Sequence, residues 1–287
     1  MIKTWRARSL AVIGVLGTLP LAACGSSSAP PGAGGTQPAG HRGQFSAPAR
    51  VDNRMFPLVP GTQFVYQGTV SETGEPKPHS VVFTVTDLTK KIHGVTTVVA
   101  WDRDFLEGRL QEQELAFFAQ DDAGNVWNFG EYPEEYENGK FTGAPSTWIR
   151  GTDRAYGGIH MLARPTPGNR YREGLVPPIE FNDVSRVTAT GRMTCTRAGC
   201  FHHVIVVDEW SPNDPAGGHQ IKYYSPGVGL VRVGARGGDS QEFLALSRVR
   251  KLSGTAMAGV RAQALAMDHR AFGVARVYRV TAPAAPA

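Results

Sequence analysis

Side chains alternate with a period of two residues along much of this chain, and this pattern constrains the fold more than any other feature. In the segment 81–86, for example, Val81, Phe83 and Val85 fall on one side. Successive side chains of a β-strand point to opposite faces, so such a run predicts a strand. Similar runs occupy residues 62–70, 91–102, 109–120, 125–132, 183–190, 201–208, 219–224, 229–234 and 241–250. Short turn-forming segments separate most of them, which predicts a mainly β protein with an antiparallel meander sheet.

Two regions depart from this pattern. The segment 150–180 contains four prolines, which restrict the backbone, and we interpret it as a surface crossing or flap. After Ser253 the apolar period changes to three and four residues, which predicts a short C-terminal helix. Its apolar stripe is Met257, Val260, Ala264, Met267, Ala271 and Val274. This helix has two possible roles at this point. It packs against the sheet, or its arginines contact an anionic membrane.

The N-terminus has the pattern of an export signal. Three basic residues precede an apolar run that is too short for a stable membrane span. The run ends in Leu-Ala-Ala-Cys at Cys24, which resembles the lipobox of bacterial lipoproteins. The resemblance implies cleavage after residue 23, lipidation of Cys24 with acyl chains such as palmitate, and anchoring on the extracytoplasmic face of the cell membrane. An ordinary cleaved signal with a chance cysteine is the alternative.

Composition divides the rest of the chain. Residues 24–53 are rich in Gly, Pro, Ser and Ala, which predicts a flexible tether before a β domain at 54–252 and a helix and tail at 253–287. The formal charge of +5 falls to +2 without the three basic residues of the signal. Residues from Arg248 onward carry a net +6, so 24–247 carry −4. An acidic body of this kind is not typical of a nucleic-acid binder.

Cysteine spacing predicts one disulfide. Besides Cys24 the chain has only Cys195 and Cys200, separated by a potential turn, and an exported protein can oxidise them. A metal site that uses both sulfurs with His202 or His203 is the alternative, although this spacing is not a standard zinc pattern.

No recognised catalytic, metal or cofactor motif is present, so we predict neither a metal site nor a cofactor, and enzymatic activity is unsupported. A dyad of Asp208 or Glu209 with His202 or His203 across strands is an open alternative. The segment 117–140 predicts a hairpin in which the acids from Glu131 to Glu137 remain in solvent.

Three short stretches carry a resemblance to a family of exported, mostly actinobacterial proteins without assigned activity. They are Phe56-Pro57-Leu58-Val59-Pro60-Gly61-Thr62, then residues 119–131 with Gly124-Asn125-Val126-Trp127, and Tyr223-Tyr224-Ser225-Pro226-Gly227-Val228-Gly229-Leu230-Val231. Asn128 departs from the aromatic residue expected at its position. The family supplies no catalytic residues.

The chain also resembles, in architecture, lipoproteins that carry lipids across envelopes. This resemblance implies a curved sheet, half-barrel or barrel-like, around an apolar cavity. The alternation of the aromatic residues in the hairpin predicts that Trp127 and Phe129 line its concave side. Trp101, Trp127, Phe129 and Trp148 are the candidate residues for binding an apolar ligand or lipid. A non-catalytic binding protein and a hydrolase assembled from distant residues remain the two function classes. An apolar cavity favours the first, whereas acids converging beside a histidine favour the second.

Overall fold

The computed structural model describes residues 43–71 and 74–287. The predicted signal peptide, Cys24 and the tether up to residue 42 lie outside the described residues. The described part contains these strands: β1 Thr62–Ser71, β2 Lys77–Ile92, β3 Val95–Leu106, β4 Arg109–Gln120, β5 Val126–Glu137, β6 Lys140–Gly143, β7 Trp148–Ile149, β8 Tyr156–Gly157, β9 Ile159–Met161, β10 Arg170–Val176, β11 Phe181–Thr196, β12 Gly199–Trp210, β13 His219–Ser225, β14 Gly229–Arg236, β15 Gln241–Lys251 and β16 Ala285–Pro286. One α-helix, α1, spans Gly254–Val274, and short 3-10 helices span Pro177–Ile179, Pro215–Gly217 and Arg276–Val280.

The strands form one curled antiparallel sheet. Its order is β6-β5-β4-β3-β2-β1-β15-β14-β13-β12-β11-β10-β8, so nearly every strand pairs with its neighbour in the chain. The exceptions are β7 and β9, which pair with β5, β8, which pairs with β10, and β16, which pairs with β2. In addition to β2, β1 pairs with β15, from Thr62 opposite Lys251 to Ser71 opposite Gln241. The predicted mainly β fold, with a curved meander sheet and one C-terminal helix, is therefore confirmed.

The interpretation of residues 150–180 as a surface crossing is wrong, because this segment forms β8, β9 and β10. The backbone N–H of Asn128 in β5 donates to Gly158 O at 2.9 Å, and Gly158 N–H donates to Glu173 O in β10 at 3.0 Å. A Cβ on Gly158 would lie 2.0 Å from the Arg172 carbonyl oxygen, so glycine permits this close approach. The segment thus bridges strands from both ends of the curled sheet.

The helix α1 packs against the outer, convex face of the sheet. Its buried residues are Met257, Val260, Ala264, Met267, Asp268 and Ala271. Val274, predicted on the same stripe, is 43% exposed because it is the last residue of the helix. Arg261 pairs with Asp87 of β2 and Arg270 with Glu134 of β5. Packing on the sheet is therefore what the structure shows for this helix.

We predicted that the flexible tether extends to residue 53, which is too far along the sequence. Residues 43–53 pack on the sheet: Val51 and Asn53 are buried, and Ser46 Oγ donates to Asp122 at 2.8 Å. Small and proline-rich segments bury little surface on average, but Phe45 and Val51 supply apolar contacts here. No helix in the part of the chain that the structure describes is long and apolar enough to cross a membrane.

The hairpin of β11 and β12 carries the predicted disulfide. Cys195 and Cys200 are paired across the two strands, and a disulfide joins them. Their metal-site alternative with His202 or His203 is thereby excluded for the oxidised protein.

Reducing this disulfide should lower the free energy of unfolding by on the order of 2 kcal/mol, because a short loop is released in the unfolded chain. Urea unfolding with and without a reductant measures the effect. The variant Cys195→Ser/Cys200→Ser should match the reduced protein; equal midpoints for oxidised and reduced protein would contradict the prediction.

Candidate functional site

An apolar pocket lies on the concave side of the curled sheet. It is lined by Phe64, Tyr66, Phe83, Tyr224 and Leu230 of β1, β2, β13 and β14, and by Phe56 of the segment before β1. His160 of β9, which pairs with β5, reaches the same pocket as Lys222 of β13, and strands so far apart in the sheet order meet only on its concave side. His160 and Lys222 supply polar groups to its wall. Its volume is about 30 Å³, on a scale on which one water needs roughly 10–15 Å³. The pocket therefore admits a small group rather than a whole lipid chain.

A buried polar network begins at this pocket. His160 Nδ1 lies 3.1 Å from Glu173 Oε2, and Ser185 Oγ donates to Glu173 Oε1 at 2.6 Å. Lys222 Nζ donates to Glu209 Oε1 at 2.5 Å. All five side chains are buried. Because a carboxylate only accepts, Nδ1 of His160 carries the proton, which leaves Nε2 as an acceptor.

Strand alternation explains why these charges point inward. On β13, Lys222 shares its face with Tyr224, and both are buried. On β12, Glu209 shares its face with Ile205 and Val207. The charged residues thus lie on the same strand faces as apolar residues that point to the concave side.

Burial shifts the titration of these groups. It raises the pKa of Glu209 to about 8, and the neighbouring Glu173 carboxylate adds to the rise. It lowers the pKa of His160 to about 3, an effect to which Lys222 contributes. Although burial opposes the ammonium charge, Glu209 and Glu173 raise the pKa of Lys222 above its usual range. At neutral pH the Glu209 carboxyl therefore keeps its proton, beside a charged lysine and a neutral imidazole.

The raised pKa of Glu209 predicts a pH dependence. The native carboxyl keeps its proton up to a pH of about 8, whereas the unfolded group loses it near its ordinary pKa of about 4.5. The native state then binds more protons, so this group's contribution to stability falls as pH rises between these two values. Glu209→Gln should therefore gain stability relative to wild type over that range. Urea unfolding across this range of pH measures the difference, and a pH-independent difference between the two proteins would contradict it.

The four aromatic residues predicted to bind a ligand lie elsewhere. Trp101, Trp127, Phe129 and Trp148 are all buried, with at most 2% of each exposed, and none lines the pocket. The Arg103 guanidinium covers Trp101, and Trp148 stacks on Phe181. Ligand binding by these four side chains stays a prediction.

The prediction that Trp127 and Phe129 line the concave side is wrong. Phe118 faces that side, because its ring contacts His160, and its cross-strand partner is Asn128. Trp127 precedes Asn128 and so points to the outer face. Phe129 lies in a bulge of the pairing and shares the neighbours of Trp127, the Phe45 ring and the Arg150 guanidinium.

The acids from Glu131 to Glu137 do not all remain in solvent, as we predicted. Glu131 and Glu134 are fully buried, whereas Glu137 is exposed. Asn128 and Trp148 donate to Glu131 at 2.8 and 3.1 Å. Strand β5 continues through these residues instead of ending in a loop, so Glu131 and Glu134 lie on opposite faces of the strand, and donors hold both.

Glu134 makes the strongest of these contacts. Arg270 of α1 donates to both its carboxylate oxygens at 2.9 and 2.8 Å, and Tyr132 and Tyr136 donate as well. Although burial opposes the charge, the donors, Arg270 first among them, hold the pKa of Glu134 below its usual range.

Glu134→Ala should lower the free energy of unfolding by about 2–3 kcal/mol, because it leaves two tyrosine hydroxyls and Gln113 without their acceptor. If Glu134 lay in a solvated loop, as we predicted from the sequence, the same substitution would have only a small effect on stability. Glu137→Ala, at the exposed end of the same strand, should change stability by less than about 0.5 kcal/mol. Equal urea midpoints for the two variants would show that the Arg270 contact contributes nothing.

The predicted histidine dyad is absent from the described part of the chain. Asp208 lies 2.7 Å from His219 and also pairs with Arg236, whereas His202 and His203 are exposed. Sequence reasoning missed Glu173 and Lys222 and gave Glu209 other partners, since charged residues in alternating strands are usually solvent-facing. The one feature of the sequence that could have revealed them is their position on the same strand face as buried apolar residues.

Comparison with known proteins gives no assignment. No family model matches the chain, and no curated protein matches it. A crystal structure from Bacteroides fragilis, described as an exported protein with a YmcC-like fold, is similar at 16% identity and a TM-score of 0.41, covering 69% of this chain and 100% of that chain. A Parabacteroides distasonis structure described as a lipoprotein is similar at 15% identity and a TM-score of 0.34, covering 69% and 99%. At such TM-scores neither likeness bears on function, and the actinobacterial resemblance stays a prediction.

Proposed function

We propose that this chain is a lipid-anchored protein on the extracytoplasmic face of the cell membrane, and that it binds a small apolar group without catalysing a reaction. The observation that supports binding is the apolar pocket whose wall contains a neutral imidazole and a lysine. An apolar ligand part would fill the pocket, and a polar end would meet His160 or Lys222.

The anchor is supported by the sequence around Cys24, with basic residues, an apolar run and a lipobox-like ending in order. More than one acyl chain on this cysteine would hold the protein stably on a membrane, because each buried methylene contributes about 0.8 kcal/mol. Cys24→Ala should release the protein into the soluble fraction. A variant that stays membrane-bound, together with a wild-type N-terminal peptide that lacks lipid mass, would contradict the anchor.

The pocket's chemistry favours binding over hydrolysis. Its hydroxyl groups belong to Tyr66 and Tyr224, and burial raises the pKa of both, so neither is a nucleophile at neutral pH. His160, with a pKa of about 3, is a weak general base. Lys222 already lies beside the acids Glu209 and Glu173, so the site favours an uncharged polar end over an anion.

Pocket size limits the ligand. About 30 Å³ accommodates a few heavy atoms, such as the end of a chain or a small side chain of an envelope partner. We therefore propose that a larger lipid or partner inserts only a terminal group here.

A series of primary alcohols tests this binding mode on the full chain purified in detergent. Methyl NMR spectra should show saturable shifts for alcohols of about two to four carbons, and weaker binding for longer ones. Leu230→Trp, which fills the pocket, should abolish the shifts. Val280→Trp, at a 60% exposed position, is the matched control and should bind normally. Absence of saturable shifts, or equal binding by both variants, would overturn the pocket assignment.

A hydrolase is the second candidate, favoured by the hydrogen-bonded series Ser185, Glu173 and His160. The carboxylate lies between the hydroxyl and the imidazole, and Ser185 does not line the pocket, which disfavours a serine nucleophile. Turnover of short-chain p-nitrophenyl esters that Ser185→Ala abolishes would establish the hydrolase and overturn non-catalytic binding.

A further inference from the structure

A second group of converging side chains lies on the concave side, away from the pocket. It consists of His79 on β2, Asp104 on β3 and Glu242 on β15. On β2, Phe83 lines the pocket and His79 precedes it by four residues, which is about 13 Å of strand. The two sites are therefore separate.

These three side chains are close enough to share one ion. One ligand atom from each lies within 4.8 Å of the other two. His79 Nε2 is 2.7 Å from Asp104 Oδ1, and Nδ1 is 3.2 Å from Glu242 Oε1. The second contact is not directed as a hydrogen bond, so Nδ1 has no true hydrogen-bond partner among the described residues. Hydrogen bonds weaken steeply when misaligned, so the contact between Nδ1 and Glu242 is weak.

Gln220 on β13 provides an independent observation. Its Nε2 donates to Glu242 Oε2 at 2.6 Å, which fixes the orientation of that carboxylate. Its Oε1 is buried and has no hydrogen-bond partner in the described part of the chain, although Gln220 is only 4% exposed. A buried carbonyl oxygen next to a carboxylate needs a donor, and a metal-bound water would supply one.

We propose that His79, Asp104 and Glu242 bind one zinc ion, with Gln220 orienting Glu242 and accepting from a water on the metal. Zinc takes nitrogen and carboxylate ligands in four-coordinate sites, and three protein ligands leave one position for water. The ion would neutralise the two carboxylates beside an uncharged imidazole.

The type of ligand disfavours the harder cations. Calcium takes six to eight oxygen ligands, and magnesium prefers octahedral oxygen coordination. Here one ligand is a ring nitrogen and only two are carboxylates. The Asp104 side chain is 20% exposed, which gives an ion a route from solvent.

The ion-pair alternative keeps His79 as an imidazolium between two carboxylates. It explains the 2.7 Å contact but leaves Gln220 Oε1 without a donor and Nδ1 poorly aligned. These two buried atoms favour the metal.

Zinc titration of the full chain in detergent tests the proposal. Elemental analysis after dialysis against buffered Zn²⁺ should give one ion per chain, and Co²⁺ should give the ligand-field spectrum of a four-coordinate site. Glu242→Gln and Asp104→Asn should each weaken Zn²⁺ binding by at least about 100-fold. Gln220→Leu should weaken it by about 10-fold, as for other residues that hold a metal ligand.

A second histidine–aspartate pair, outside the proposed metal site, serves as the control. His219 and Asp208 lie 2.7 Å apart on the sheet, so His219→Gln should bind Zn²⁺ as wild type does. Zinc should also raise the melting temperature of wild type but not that of Glu242→Gln, whose own melting shows whether it folds. No stoichiometric zinc in wild type, or zinc that survives Glu242→Gln and Asp104→Asn, would overturn the site. Alcohol binding in the pocket is unaffected by either result, because it uses other residues.

Discussion

Asp268→Ala should lower the free energy of unfolding by about 3–5 kcal/mol, because it leaves the buried ammonium of Lys90 without its counter-charge. Lys90 Nζ lies 2.7 Å from Asp268 Oδ1, and the lysine side chain is fully buried. Tyr278 and the backbone of Ala284 also donate to this carboxylate, at 2.6 and 2.9 Å. Burial lowers the pKa of Lys90, so losing the carboxylate would favour a neutral amine. Thermal unfolding followed by circular dichroism should show a midpoint lower by about 10 °C.

Two variants separate the loss of the counter-charge from other causes. Asp153→Ala removes an acid from an exposed ion pair with Arg276, and should cost less than about 1 kcal/mol. Lys90→Met combined with Asp268→Ala should recover part of the stability lost in the single variant, since no buried charge remains. A double variant as unstable as the sum of the two single variants would contradict the ion-pair explanation.

Trp127→Ala should also cost about 3–5 kcal/mol, the usual range for removing a buried aromatic side chain. Trp127 is fully buried, and its Nε1 donates to Asp121 at 2.7 Å. Its ring meets Phe45 edge-on at 6.2 Å between centroids, and the Arg150 guanidinium lies 5.1 Å from its centroid. The variant therefore loses a hydrogen bond as well as packing.

Phe141→Ala is the comparison for Trp127→Ala, because Phe141 is 41% exposed on the neighbouring strand β6. Its loss should cost less than about 1 kcal/mol. Urea unfolding measures both variants. An unchanged midpoint for Trp127→Ala would mean that this tryptophan is not part of the structural core.

The fold could largely be predicted from the sequence because alternation and the helical stripe are local patterns. The strands around Phe83 and Phe117 follow directly from it. By contrast, β8 and β9 have two and three residues, too few to show a period, and the neighbouring prolines suggested a loop. Their place in the sheet depends on long-range hydrogen bonds such as that between Asn128 and Gly158.

The candidate site could not be predicted in the same way. Glu173, Glu209 and Lys222 come from three strands, and whether a strand position faces water or the concave side depends on how the sheet curls. Glu134 shows the same limit on the outer face, because Arg270 that pairs with it lies on a helix 136 positions away. Local sequence patterns show that side chains alternate along a strand, but they do not show which face of the strand is buried.

The pairing of β1 with β15 also determines when the sheet can form. Thr62 meets Lys251 across that pair, so every other described strand except β16 lies between these two adjacent strands in the sequence. In a polypeptide that emerges N-terminus first, β1 would lack its partner β15 until the last strands appear. Non-local pairing of this kind slows folding, to a scale of milliseconds to seconds in small β proteins. Under the export that we propose, this late completion of the sheet would leave more time for transport before the chain folds.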